Sequence, residues 1–306
     1  MKRRSLLISA AGSMLASAPL RRADASGVSD APAAPAAARE SLPWTRHGTV
    51  ARPGGVIGYA TAGQGPVLVL LPKLGGWIDD WSPLARELAN EFTLIAIDPP
   101  GHGSSRFGSE PPAVQTLSES AAMIRATLEE LGVESFALAG NSLGGCISAT
   151  MAALWPKMVT RLVLVSTAVY PKDPMARILE DEAKANPRKY ADDGSPLPRT
   201  RERAMATFAM SPEFTDEMSR SRAAAGKWIR ASERGVRREG IAELLPRIEA
   251  PTLLVYSDQG TYLRHRIIAE RLIRDVRLAT IAGAGSFVHQ EKPAETAAAM
   301  RGFLRA

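Results

Sequence analysis

A serine set between two glycines, Gly140-Asn141-Ser142-Leu143-Gly144, is the strongest chemical signal in this chain. The spacing is that of a nucleophile elbow, in which the hydroxyl projects from a tight turn between a strand and a helix. Its flanks agree: the apolar run 136–139 reads as a strand and residues 145–155 read as a helix. Gly140 and Gly144 are the positions at which a tight turn needs backbones to pass closely. The Leu143 amide, at the helix start, would be one donor to a developing oxyanion. A serine hydroxyl is a poor nucleophile near neutral pH unless a base takes its proton and an acid orients that base. The chain holds four histidines, His47, His102, His265 and His289, from which a base could come.

The elements that must position Ser142 alternate between strand-like and helix-like patterns. Leu117, Ala121, Ile124, Leu128 and Leu131 recur at helical spacing, and apolar runs of strand length lie on either side of such stretches. Alternation of this kind gives an α/β fold with a mostly parallel sheet covered on both faces.

Taken with the elbow, these runs resemble the α/β-hydrolase superfamily from Thr49 to the C-terminus. Residues 67–71 look like the family's third strand, and Leu74-Gly75-Gly76-Trp77 looks like the loop after it, with Leu74 supplying the second oxyanion amide. Residues 92–97 look like the fourth strand, running into Asp98-Pro99-Pro100-Gly101-His102-Gly103-Ser104-Ser105. Residues 161–165, 251–256 and 276–281 would be strands six, seven and eight. The resemblance implies an α/β-hydrolase core over 46–167 and 248–306, with a helical cap over 168–247 inserted after strand six. Helices are expected there near 176–185, 201–210 and 213–234. With Trp77, the cap residues Met175, Phe208, Met210 and Trp228 are the candidates to line an apolar substrate pocket.

Three positions depart from the family pattern. The acid after strand seven falls at Gly260, the histidine after strand eight falls at Ser286, and Pro72-Lys73 stands where His-Gly is common. His289, three residues beyond Ser286, is the first candidate for a relocated base. Lys73 is the second, as a base or a polarising group, since a desolvated lysine loses its proton more readily; an exposed lysine is the ordinary alternative. Asp258 leads as the orienting acid, ahead of Asp173. His102 reads as structural and His265 as a surface residue.

The N-terminus carries a different message. Lys2-Arg3-Arg4 precede a mildly apolar stretch, followed by small-residue cleavage patterns at Ala16-Ser17-Ala18 and Ala23-Asp24-Ala25. This reads as an export signal over 1–25, of twin-arginine type from Arg3-Arg4-Ser5-Leu6-Leu7, then an Ala/Pro-rich tether over 26–45. The apolar stretch is short for a bilayer, so no stable membrane insertion of the mature chain is expected. The expected location is the bacterial periplasm. Losing Lys2, Arg3, Arg4, Arg21 and Arg22 against Asp24 lowers the formal charge from +6 to +2, so no nucleic-acid partner is implied. The lone Cys146 offers no internal disulfide. Neither a metal-ligand spacing nor a phosphate-binding glycine loop is read, so no metal and no cofactor is expected.

Three functions are compatible with these residues: a pocket that binds or polarises a small apolar or carbonyl-containing molecule without hydrolysis, an esterase with a relocated base, and an inert interaction protein. The first is favoured. Loss of the base from a serine triad costs about 10⁶ in turnover, while oxyanion donors and binding alone leave roughly 10³ to 10⁴ over water.

Overall fold

A computed structural model describes residues 43–185 and 189–305. The expected export signal and most of the tether lie outside them. Eight strands form one sheet: β1 (Arg46–Arg52), β2 (Gly55–Ala62), β3 (Val67–Leu71), β4 (Thr93–Ile97), β5 (Phe136–Asn141), β6 (Val159–Val165), β7 (Thr252–Ser257) and β8 (Val276–Ile281). A two-residue strand, Arg106–Phe107, pairs with β2. The spatial order is β1-β2-β4-β3-β5-β6-β7-β8. β2 runs antiparallel to β1 and β4, and every pairing from β4 through β8 is parallel.

The period-two alternation of the strands splits their apolar residues between two cores. Val69, Leu71, Ile95 and Ile97 point to one face, beneath α2 (Leu117–Glu130), α3 (Leu143–Leu154) and α8 (Leu263–Leu272). Leu68, Leu70, Leu94 and Ala96 point to the other, beneath α1 (Ser82–Leu88), the short α9 (Val288–Glu291) and α10 (Pro293–Leu304). Each fully buried leucine of these central strands contributes about 1.5–3 kcal/mol. Thr116 and Glu119 close a reciprocal capping box at the start of α2, and its buried stripe, Leu117, Ala121, Ile124 and Leu128, is the one the helical spacing predicts.

Between β6 and β7 the chain builds four helices, α4 (Met175–Ala185), α5 (Arg201–Phe208), α6 (Pro212–Ala225) and α7 (Trp228–Glu239). The single helix expected over 213–234 is two, because Gly226 takes a positive φ of 52° and ends α6. Arg230 and Arg234 of α7 both bond Glu182 of α4, and Arg237 bonds Asp173 and Asp181. α7 also crosses the loop before α2 so closely that a Cβ on Gly235 would lie 1.8 Å from the Gln115 carbonyl oxygen.

The tether boundary also shifts. Trp44 is buried in the second core with its indole N–H donating to Ser82 Oγ at 3.0 Å, so the packed core begins before residue 46. No helix among the described residues is long and apolar enough to cross a membrane.

Candidate functional site

The elbow forms where the sequence places it. Ser142 sits between β5 and α3 at φ 51° and ψ −110°, a strained backbone that aims its side chain away from the sheet. The flanking glycines are sterically required. A Cβ on Gly140 would lie 2.3 Å from the Gly144 carbonyl oxygen, and one on Gly144 would lie 2.1 Å from that of Leu71. The Gly144 amide donates to the Pro72 carbonyl at 3.0 Å and ties the elbow to the loop after β3. Among the described residues the Leu74 and Leu143 amides donate to no protein group.

The partner of Ser142 is a tyrosine. Ser142 Oγ and the Tyr262 hydroxyl are 2.8 Å apart, and no other side chain among the described residues bonds the serine hydroxyl. Tyr262 leads into α8, two residues past Gly260. Burial pushes its phenol up to about 12, against the opposing hydrogen bond from Ser142. Sequence reasoning missed Tyr262. The available signal was its place in the loop after β7, where the family's acid is carried.

Positions 260 and 286 are neighbours. A Cβ on Gly260 would fall 2.6 Å from Ser286 Oγ, and Gly260 itself holds a positive φ of 90°. Ser286 is buried, and its hydroxyl has no hydrogen-bond partner among the described residues. Its amide donates to the Phe208 carbonyl at 2.7 Å, so the end of cap helix α5 is stitched to the loop after β8.

His289 and Lys73 lie in a buried cluster beside the loop after β3. The His289 ring is fully buried and packs tilted against Trp81, 4.3 Å between ring centres, and neither nitrogen has a hydrogen-bond partner among the described residues. Burial, then the nearby Lys73 charge, push its pKa well below the usual imidazole range. Lys73 is not the exposed lysine of the ordinary reading: it is buried, with its ammonium 2.5 Å from Asp80 and 5.1 Å from the centre of the Phe287 ring. Burial raises the Asp80 carboxyl and Lys73 opposes that rise. No hydrogen bond joins either candidate base to Ser142.

The remaining candidates are dispersed. Asp258 is exposed and accepts from the Gly283 amide at 3.1 Å, bridging the loops after β7 and β8. Asp173 is held by Arg237. His102 is buried, with Nδ1 3.0 Å from the Pro100 carbonyl oxygen and a pKa lowered by burial to about 4. His265 corrects the surface reading: it is buried against Tyr170, with Nδ1 2.9 Å from the Val169 carbonyl oxygen, because α8 turns that face inward. The Cys146 thiol is buried and pushed up to about 12 by that burial.

Of the candidate pocket residues, Phe208 packs on Phe287 at 5.1 Å between ring centres, and Met210 is buried in the same apolar cluster. Trp228 covers Gly101 and packs on Phe107 at 5.2 Å. Trp77 donates its indole N–H to Glu217 of the cap at 3.1 Å. Met175 begins α4, half-buried. A surface depression of about 580 Å³ lined by Arg125, Trp155 and Met158 lies at the other end of α3 from Ser142 and holds none of the candidates. Among the described residues no group of three or more His, Cys, Asp or Glu side chains is placed to hold a metal.

Residues 66–293 match the model of a family described as the alpha/beta hydrolase fold. The chain is 33% identical over 109 residues to a pimeloyl-[acyl-carrier protein] methyl ester esterase of Pseudoalteromonas atlantica, covering 35% of this chain and 40% of that protein. It is 27% identical over 265 residues to a pyrrolizixenacetamide deacetylase of Xenorhabdus hominickii, covering 81% of this chain and 94% of that protein. A solved bacterial membrane phospholipase A, described as a virulence factor, superposes with a TM-score of 0.70 at 25% identity, over 86% of this chain and 87% of that one. The mycobacterial relatives with 35% identity are matched over about a third of their own length.

Proposed function

Because the chain belongs to the α/β-hydrolase family, we propose that it uses the family's pocket to bind and polarise a small carbonyl-containing molecule, with chemistry of lyase, isomerase or cyclase type rather than hydrolysis. One observation carries this reading: the partner of Ser142 Oγ is the Tyr262 hydroxyl, and no imidazole or carboxylate among the described residues reaches it. With the phenol held protonated up to about 12, the pair is two neutral hydroxyl groups near neutral pH. Together with the free amides of Leu74 and Leu143, they form a set of donors suited to a carbonyl or enolate oxygen. Such donors polarise a substrate, yet cannot take the serine's proton.

A relocated-base esterase is the second reading, supported by the strained Ser142 backbone and by relatives named as an esterase and a deacetylase. It requires His289 to leave its contact with Trp81, or Lys73 to leave Asp80, before either could serve Ser142. Action after export is part of the proposal and rests on the pattern of residues 1–25. The test is fluorophosphonate labelling and an aryl-ester panel on the mature chain, with Ser142→Ala and His289→Leu alongside. We expect saturable binding of an aryl ketone with negligible ester turnover. Labelling and turnover abolished in both variants would overturn the reading.

A further inference from the structure

We propose that Arg199 and Arg222 of the cap form an anion subsite above Ser142, which takes the carboxylate or phosphate of a small organic molecule whose carbonyl reaches Ser142 and Tyr262. This names the substrate class of the proposed pocket and rests on that reading.

Both arginines come from the cap and pack on loops that border the site. Arg222, in α6, covers the loop after β3: a Cβ on Gly75 would lie 2.6 Å from Arg222 Cγ. Arg199 stacks over the Phe208 ring at 5.0 Å. The carbonyl of Phe208 receives the Ser286 amide and lies 3.4 Å from where a Cβ on Gly260 would stand. The stem of Arg222 therefore packs on the loop that carries Leu74, and the Arg199 guanidinium lies over a ring whose backbone carbonyl joins the loops after β7 and β8.

Neither has an ionic partner. Elsewhere in the cap Arg230 and Arg234 pair with Glu182, Arg237 with Asp173 and Asp181, and Arg201 with Asp216. Arg199 and Arg222 make no side-chain hydrogen bond or ion pair among the described residues, and both are half-buried. Glu233, the nearest carboxylate to feel them, is already committed to Lys189 at 2.8 Å and to the Tyr190 hydroxyl at 2.5 Å. The two cations also feel each other, and burial lowers Arg199 to about 10, with repulsion from Arg222 and Arg203 adding to it and Glu233 opposing. Two like charges kept together and partly desolvated are unfavourable unless an anion joins them. Guanidinium forks match carboxylate and phosphate geometry.

The experiment measures affinities of the mature chain for 4-acetylbenzoate, 4-acetylphenyl phosphate and the neutral methyl 4-acetylbenzoate by calorimetry, at matched ionic strength. Variants are Arg199→Gln, Arg222→Gln, the conservative Arg222→Lys, and Arg201→Gln as an exposed control, each checked for an unchanged melting transition. At least one anion is expected to bind about tenfold more tightly than the neutral ester, as a charge-assisted pair warrants. Each Gln variant should reduce that preference to about threefold or less, with Arg222→Lys between and Arg201→Gln unchanged. Which anion wins separates a carboxylate from a phosphate ligand. Equal affinities for anion and ester, absence of any anion binding, or a preference that survives Arg199→Gln/Arg222→Gln overturns the proposal. Ser142 labelling separates the two readings: fast labelling removes the non-hydrolytic function and leaves the anion preference to be decided by these affinities alone.

Discussion

The pH dependence of Ser142 reactivity gives the sharpest check on the missing base. If Tyr262 were the group that takes the serine's proton, it would act as phenolate. With its phenol at about 12, the phenolate fraction is about 10⁻⁴ at pH 8 and about 10⁻⁵ at pH 7. A base present at that level contributes almost nothing, so Tyr262→Phe should change neutral labelling by less than about threefold. The assay is the second-order rate of fluorophosphonate labelling of Ser142, followed by intact mass between about pH 5 and 9, with Ser142→Ala as the blank. The expected profile has no inflection in the imidazole range, because His289, the first candidate base, packs tilted against Trp81 and makes no hydrogen bond to Ser142. A sigmoidal rise in that range, lost in His289→Leu, would refute the reasoning directly. It would mean that the ring swings to the serine in solution.

Two further outcomes test the packing around the site. Lys73→Met leaves Asp80 as an uncompensated buried carboxyl and should lower stability by about 3–5 kcal/mol, while Lys73→Met/Asp80→Leu should recover most of that loss, read from urea midpoints. His102 should contribute an acid-side loss of stability. Its pKa falls from an ordinary 6.5 to about 4 on folding, so the stabilisation is complete above 6.5 and is lost as pH drops through 4, about 3 kcal/mol in all. Asp98, raised by burial to about 7, works in the opposite direction across the same window. The readout is therefore the difference between the wild-type and His102→Asn stability curves, which should converge with falling pH.

The sequence was most legible where backbone sterics act locally. The elbow needs Gly140, Ser142 and Gly144 within five residues, and both glycines are explained by atoms that a Cβ would strike. The strands were legible for a similar reason, since buried parallel strands demand short apolar runs such as 67–71. Contacts between distant segments were not. Tyr262 reaches Ser142 across 120 residues of sequence, and nothing in the local pattern of 258–265 says which side chain turns inward. Lys73 was open between buried base and exposed charge because its partner, Asp80, is seven residues away and is brought back only by the turn after Trp77. His265 was misread because an Arg-rich helix looks solvated on every face, whereas packing against Val169 and Tyr170 selects one face for burial.

The contact between Gly260 and Ser286 bears on how this site relates to a hydrolytic one. The resemblance assigns these positions to acid and base, and the fold sets them side by side with 2.6 Å between the Gly260 Cβ direction and Ser286 Oγ. A single Ser286→His change would place an imidazole in a buried space against the Phe208 carbonyl that the Ser286 amide now engages, with Gly260 where the resemblance puts the orienting acid. Adding Gly260→Asp supplies the carboxylate only at a backbone φ of 90°, where a side chain costs about 1–3 kcal/mol. The two positions and the cap contact are thus mutually adjusted. Tyr262 occupies the serine's hydrogen-bonding direction, Phe208 closes over position 286, and Gly260 holds a conformation that favours glycine. Each of these contacts would have to change before a base could be installed at position 286, which is why the proposed donor pocket predicts that Ser286→His alone leaves Ser142 labelling unchanged.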